Sequence, residues 1–121
     1  MPFTISLASG LIKSDSTSRR TIESFNLAVP DLTKEGSGEA DFATSTAGNI
    51  LPFGGVTTAS AIFLKTNNDI TVRFNGATAV DGGVLLKANG SMILIGVEVD
   101  EILIDNASGN IAHIDYYLGG V

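Results

Sequence analysis

Apolar and polar positions alternate with period two in several stretches of the chain, the spacing that sends successive side chains to opposite faces of a β-strand. In Asp69-Ile70-Thr71-Val72-Arg73-Phe74 the alternation is strict: Ile70, Val72 and Phe74 share one face, Asp69, Thr71 and Arg73 the other. The last run, Asn110 to Leu118, sets Ala112, Ile114, Tyr116 and Leu118 against His113 and Asp115. Further β-type runs cover Ala59 to Lys65, Val84 to Lys87, Ser91 to Ile95 and Asp100 to Asp105. Ser91 to Ile95 is apolar on both faces, which predicts an interior strand. Turn formers separate the runs: Thr66-Asn67-Asn68, Asn75-Gly76, Ala88-Asn89-Gly90 and Asn106 to Gly109. Asn-Gly pairs accept the positive φ angles of tight hairpin turns. Runs recurring about every 8–13 residues have the rhythm of a sandwich or barrel.

The first 55 residues read differently. Phe3 to Leu7 and Thr21 to Val29 are β-type runs, the second with Phe25, Leu27 and Val29 on one face and Ile22 on the other. Pro30 is expected to close it, because proline cannot donate to a strand ladder. Gly36-Ser37-Gly38 reads as a flexible loop, and residues 8–20 and 31–48 as long loops or arms. No window carries a helical apolar stripe. The expectation is one all-β domain over residues 1–121, with residues 1–20 as a candidate N-terminal arm. Its fold class is an antiparallel two-sheet β-sandwich of roughly eight strands, jelly-roll-like, with long N-terminal loops or arms.

Composition narrows the chemistry. The chain has 121 residues, 44% of them hydrophobic, enough for one domain with a core. No run approaches the roughly 20 apolar residues that cross a bilayer, and Met1 to Leu7 lacks a basic secretory n-region. There is no Cys and a single His, His113. Thiol chemistry and disulfides are excluded, and histidine-rich metal sites with them. Seven scattered Lys+Arg against 13 Asp+Glu give a net charge of −6, a poor match to nucleic acid, which needs clustered cations. No cofactor, nucleic acid or membrane partner is expected.

Glu98, Asp100, Glu101 and Asp105 form the densest acidic group and are the candidate cation ligands, Ca²⁺ being the ion that suits clustered carboxylates. Alternation sends Glu98 and Asp100 to one face and Glu101 and Asp105 to the other, which reads as a solvated strand end. His113 and Asp115 share a strand face at i, i+2, but no Gly-x-Ser-x-Gly or Ser-x-x-Lys nucleophile motif accompanies them. Asn89-Gly-Ser91 and Asn106-Ala-Ser108 match a glycosylation pattern and fall in expected turns. Gly54-Gly55 and Gly82-Gly83 lack the Lys-Ser/Thr of a phosphate loop and read as bends. Arg19-Arg20 is the sole adjacent basic pair. Tyr116-Tyr117 puts one ring inside and one outside its strand, so Tyr117 with Leu118 is a candidate interface, as are Arg19 and Arg20.

From Ala59 to Val121, about half the chain, the sequence resembles small β-rich virion proteins of tailed and marine bacteriophages. The resemblance is carried by Ala61 to Asn68, Asp69 to Gly76, Leu85 to Gly90, Ile102 to Gly109 and the ending Leu118-Gly119-Gly120. It implies a non-enzymatic structural role in the virion: capsid decoration, or a head or tail accessory. The implied partners are further copies of the chain and other virion proteins, such as the major capsid or tail proteins. The alternative is a carbohydrate- or calcium-binding β-sandwich module.

Overall fold

The computed structural model describes residues 2–14, 17–76 and 83–121. β1 (Phe3–Ser14) and β2 (Arg19–Leu32) pair antiparallel as a two-stranded ribbon. Eight more strands follow: β3 (Lys34–Phe42), β4 (Thr46–Ile50), β5 (Ala59–Thr66), β6 (Ile70–Phe74), β7 (Gly83–Leu86), β8 (Ser91–Val99), β9 (Ile102–Asn106) and β10 (Ala112–Gly120). They build two four-stranded antiparallel sheets, in the orders β3-β10-β5-β8 and β4-β9-β6-β7. The pairs are nested: β3 lies beside β10, β4 beside β9, β5 beside β8 and β6 beside β7. That nesting is the topology of a jelly-roll sandwich.

The inward positions of both sheets meet in one core. Leu64 on β5, Val72 on β6, Ile102 and Ile104 on β9, and Ile114 and Leu118 on β10 are completely buried. Each such side chain contributes roughly 1.5–3 kcal/mol by leaving water. Asn106 is buried with them, its side-chain amide donating to the Phe42, Ala43 and Asn110 carbonyls at 3.2, 3.2 and 2.8 Å. Those bonds tie the end of β9 to the β3–β4 connection. Asn75 and Gly76 both take positive φ, 53° and 74°, the left-handed backbone that Asn-Gly pairs accept in turns.

The N-terminal third departs from expectation. Residues 8–20 and 31–48 are mostly strand: the first stretch pairs locally in the β1–β2 hairpin, and the second pairs with β10 and β9, distant in sequence. Pro30 does not end β2. Together with Asp31 (φ 61°) it occupies a bulge, where two residues oppose one between the Phe3–Leu32 and Ile5–Val29 pairs. A bulge leaves the missing proline N–H without a ladder bond to break. Gly36-Ser37-Gly38 lies within β3. A side chain at Gly36 would stand 2.6 Å from the Phe53 carbonyl oxygen, so that glycine serves close approach rather than flexibility. β8 is an edge strand of its sheet, not an interior one; its second apolar face has another cause, given below. The Ile22 side chain, with its expected facing, and Gly82, with its expected bend, lie outside what the structure describes.

Candidate functional site

The outward face of the β3-β10-β5-β8 sheet carries two kinds of surface. Register aligns its outward side chains in rows across the sheet. Ser37, Tyr117, Phe63 and Ile93 form one row, and Glu39, Asp115, Lys65 and Ser91 the next. Asp41 and His113 extend the polar side, while Gly119, Ala61 and Ile95 extend the apolar side. Apart from Glu35, in register with Gly119 at the β3 edge, one half of the face is therefore apolar and the other carries charge.

The ribbon covers the apolar half. Ile5 stands opposite Val29 and Leu7 opposite Leu27, giving the ribbon one apolar face. Leu32 and Ile5 pack over Gly119 on β10, and β2 also touches β8, so the ribbon crosses the sheet from β10 toward the β8 edge. Ile5 and Leu7 face Phe63, Ile93, Ile95 and Tyr117 across a cleft of ≈ 180 Å³. This ribbon is why Ser91 to Ile95 is apolar on both sides despite lying at a sheet edge. Tyr117 donates its hydroxyl to Glu35 Oε2 at 2.8 Å. Burial first, then the Glu35 carboxylate, pushes the phenol up to about 12. Past the sheet, Ala8, Ser9, Ser14, Arg19, Arg20, Thr21, Glu23 and Ser24 are all exposed.

The polar half centres on His113. Its Nδ1 lies 2.5 Å from Asp41 Oδ1. Its Nε2 lies 3.3 Å from Asp115 Oδ1 and 3.5 Å from Glu39 Oε1. The bond to Asp41 chiefly, with the charge of Asp115 and the Glu39 carboxylate adding to it, holds the imidazolium above its usual range. Asn67 fixes the backbone here, its Oδ1 accepting from the His113 N–H at 2.8 Å and its own N–H donating to the His113 carbonyl at 3.1 Å. Lys65, Asn67, Asn89, His113 and Asp115 line a shallow depression. Ligand atoms of Glu39, His113 and Asp115 all lie within 4.8 Å of one another, near enough to share one cation.

The acidic candidates named from sequence do not assemble in this way. Glu98 and Asp100 are exposed and Glu101 is half-buried. Their bend is braced by Asn75, whose Oδ1 accepts from the Asp100 N–H at 2.8 Å and whose N–H donates to the Glu101 carbonyl at 2.9 Å. Asp105 is engaged elsewhere, held bidentately by Arg73: Nε to Oδ2 at 2.8 Å and Nη2 to Oδ1 at 2.7 Å. The guanidinium, and next the Gly48 N–H, keep the Asp105 carboxyl below its ordinary range against the opposing effect of burial. Among the described residues, Glu98, Asp100, Glu101 and Asp105 make no group of three with ligand atoms in mutual reach. Leu118, paired with Tyr117 as an interface candidate, is buried in the core. An inward strand position cannot face a partner. Arg19 and Arg20 sit at the far end of the ribbon, Arg20 in register with Lys13.

Glu39 and Asp41 were not singled out from the sequence. The signal was present in Glu35-x-Ser37-x-Glu39-x-Asp41, a period-two polar row. It was masked because the intervening inward residues, Gly36, Gly38 and Ala40, are too small to register as an apolar face. Comparison with protein-family models, with curated proteins and with solved structures gives no match.

Proposed function

We propose that this chain is a non-enzymatic structural protein of a bacteriophage virion, stabilising or completing the particle by protein–protein packing. The ribbon carries the reading. A two-stranded hairpin is at best marginal in water when it lacks further partners, yet β1 has 12 residues and β2 has 14. Its base rests on the sheet, while further out Ala8, Ser9 and Ser14 on β1 and Arg19, Arg20, Thr21, Glu23 and Ser24 on β2 are exposed. A length of ordered, solvated ribbon is what an arm laid across a neighbouring subunit requires. The jelly-roll architecture supports the same role, since it recurs in viral capsid domains, and the resemblance read from the sequence of residues 59–121 implies it as well. Decoration of the capsid and accessory positions in head or tail all fit. Sedimentation of the purified chain, with and without particles of the phage that encodes it, tests the proposal. Self-association or co-sedimentation is expected. A chain that stays monomeric and leaves particles unbound overturns it.

A cation-binding module is the second reading, favoured by the convergence of Glu39, His113 and Asp115. Asp41 on the far ring nitrogen would fix the tautomer that presents Nε2, as carboxylates do behind histidine ligands. Titration calorimetry with calcium and with zinc decides it, and the absence of both heat and a melting shift removes it.

A further inference from the structure

We infer that the basic end of the ribbon seats on the acidic half of the sheet face of a second copy of this chain, joining copies head to tail. This rests on the assembly reading and names its contact. Lys13, Arg19 and Arg20, three of the seven cations, fall at the end of the ribbon, with Asp15 the only acid between them in sequence. Arg19 and Arg20 are exposed. The rest of the chain is acidic: residues 34–121 hold ten acids against four cations. Nowhere on the described sheet face are carboxylates denser than at Glu39, Asp41 and Asp115, where His113 and Lys65 only partly offset them.

Direction decides between self-contact and contact with a neighbour. The ribbon starts over β10 and runs toward β8, while the acids lie on β3 and β10 at the opposite side. Its basic end is thus carried away from its own acidic patch. A copy placed beyond the β8 edge with its β3 edge nearest offers that patch where the ribbon end arrives. The two surfaces differ, so the contact is heterologous and propagates from copy to copy into a ring or a filament. Opposite potentials on the two surfaces steer the encounter and fix its register.

The test uses the full chain and two charge-reversed variants, Arg19→Glu with Arg20→Glu, and Glu39→Lys with Asp41→Lys. Association is followed by sedimentation velocity in solution and by binding to particles, at low and high salt. Each variant should weaken association about tenfold or more, and high salt should weaken the wild type. An equimolar mixture of the two variants should recover assembly, because the reversed charges again complement. Melting by circular dichroism checks folding. If the Glu39 and Asp41 variant does not fold, Glu39→Lys alone, at a well-exposed side chain, replaces it. Wild-type assembly that both variants retain, or variants whose mixture does not recover, overturns the contact and leaves the assembly reading standing. A wild type that neither self-associates nor binds particles overturns both.

Discussion

His113 on β10 and Asp41 on β3 stand directly opposite each other, with Nδ1 2.5 Å from Oδ1. β3 is an edge strand joined to its sheet only through β10, so this pair and the Glu39 and Asp115 carboxylates beside it act on the seam that holds β3 in place. The imidazolium is favoured in the folded state, its pKa standing above the ordinary 6.5. A raised folded pKa contributes stability that is complete below the unfolded value and lost as pH rises through the folded one. The melting temperature should therefore fall as pH climbs from about 6 through the folded His113 pKa. In His113→Gln that decline should be absent. Lys65 on β5, in register with Asp115, is the cation that faces the group. Melts across pH, with the His113 ring titrated by NMR, check both.

Asp105 gives the opposite limb. Its carboxyl lies below the ordinary 3.8 in the folded state, through Arg73 first and the Gly48 N–H after burial. A depressed acid contributes stability above its unfolded pKa, and that stability is lost as pH falls through the folded value. Asp105→Asn should lower the urea midpoint at neutral pH and flatten the loss of stability on acidification. Arg73 side-chain exposure is 10%, so the variant takes the Asp105 carboxylate away from a poorly solvated guanidinium. Urea titrations at neutral and acidic pH, wild type against variant, make the measurement.

Much of the second half of the chain was legible because its strands alternate large aliphatic and polar residues. Ile70, Val72 and Phe74 face inward as their spacing predicts, and Asn75-Gly76 turns where it should. β3 was illegible because all its inward residues before Phe42 are small, Gly36, Gly38 and Ala40, with the Tyr116 ring of β10 packed against Gly38. Small residues under an aromatic satisfy packing without an apolar signal in their own segment. The apolar outer face of β8 was readable, but its cause was not, because the covering element lies more than fifty residues earlier in sequence. Arg73 and Asp105 likewise each look like solvent-facing strand positions. Only the register of β6 against β9 brings them together.

Position within the sandwich should decide what an isoleucine is worth. Ile104 is completely buried between the sheets, whereas Ile93 on the outward face of β8 is 47% exposed. Ile104→Ala should cost about 2–5 kcal/mol through lost burial and a residual cavity. Ile93→Ala should cost less than about 1 kcal/mol, since surface substitutions remove little transfer energy. Guanidinium denaturation with equal m-values for both variants gives the comparison. A similar loss at the two sites would mean that the ribbon covers Ile93 as completely as the core covers Ile104.

Tyr117 joins the ribbon-covered half of the face to β3, since its ring lines the cleft beneath Ile5 and Leu7 while its hydroxyl donates to Glu35. Tyr117→Phe keeps the ring and removes the bond, at about 1 kcal/mol, the usual net worth of one hydrogen bond. The phenol stands at about 12 in the folded state, above its ordinary 10.0. The unfolded chain thus releases this proton first, and stability falls as pH rises from about 10 toward 12. Ultraviolet titration of the native protein should show a late phenolate component that Tyr117→Phe eliminates. Lifting the ribbon with Leu7→Asp should move the same component to lower pH, because burial is the larger cause of its displacement. A late component unchanged by Leu7→Asp would mean that the ribbon is not what keeps water from the Tyr117 ring.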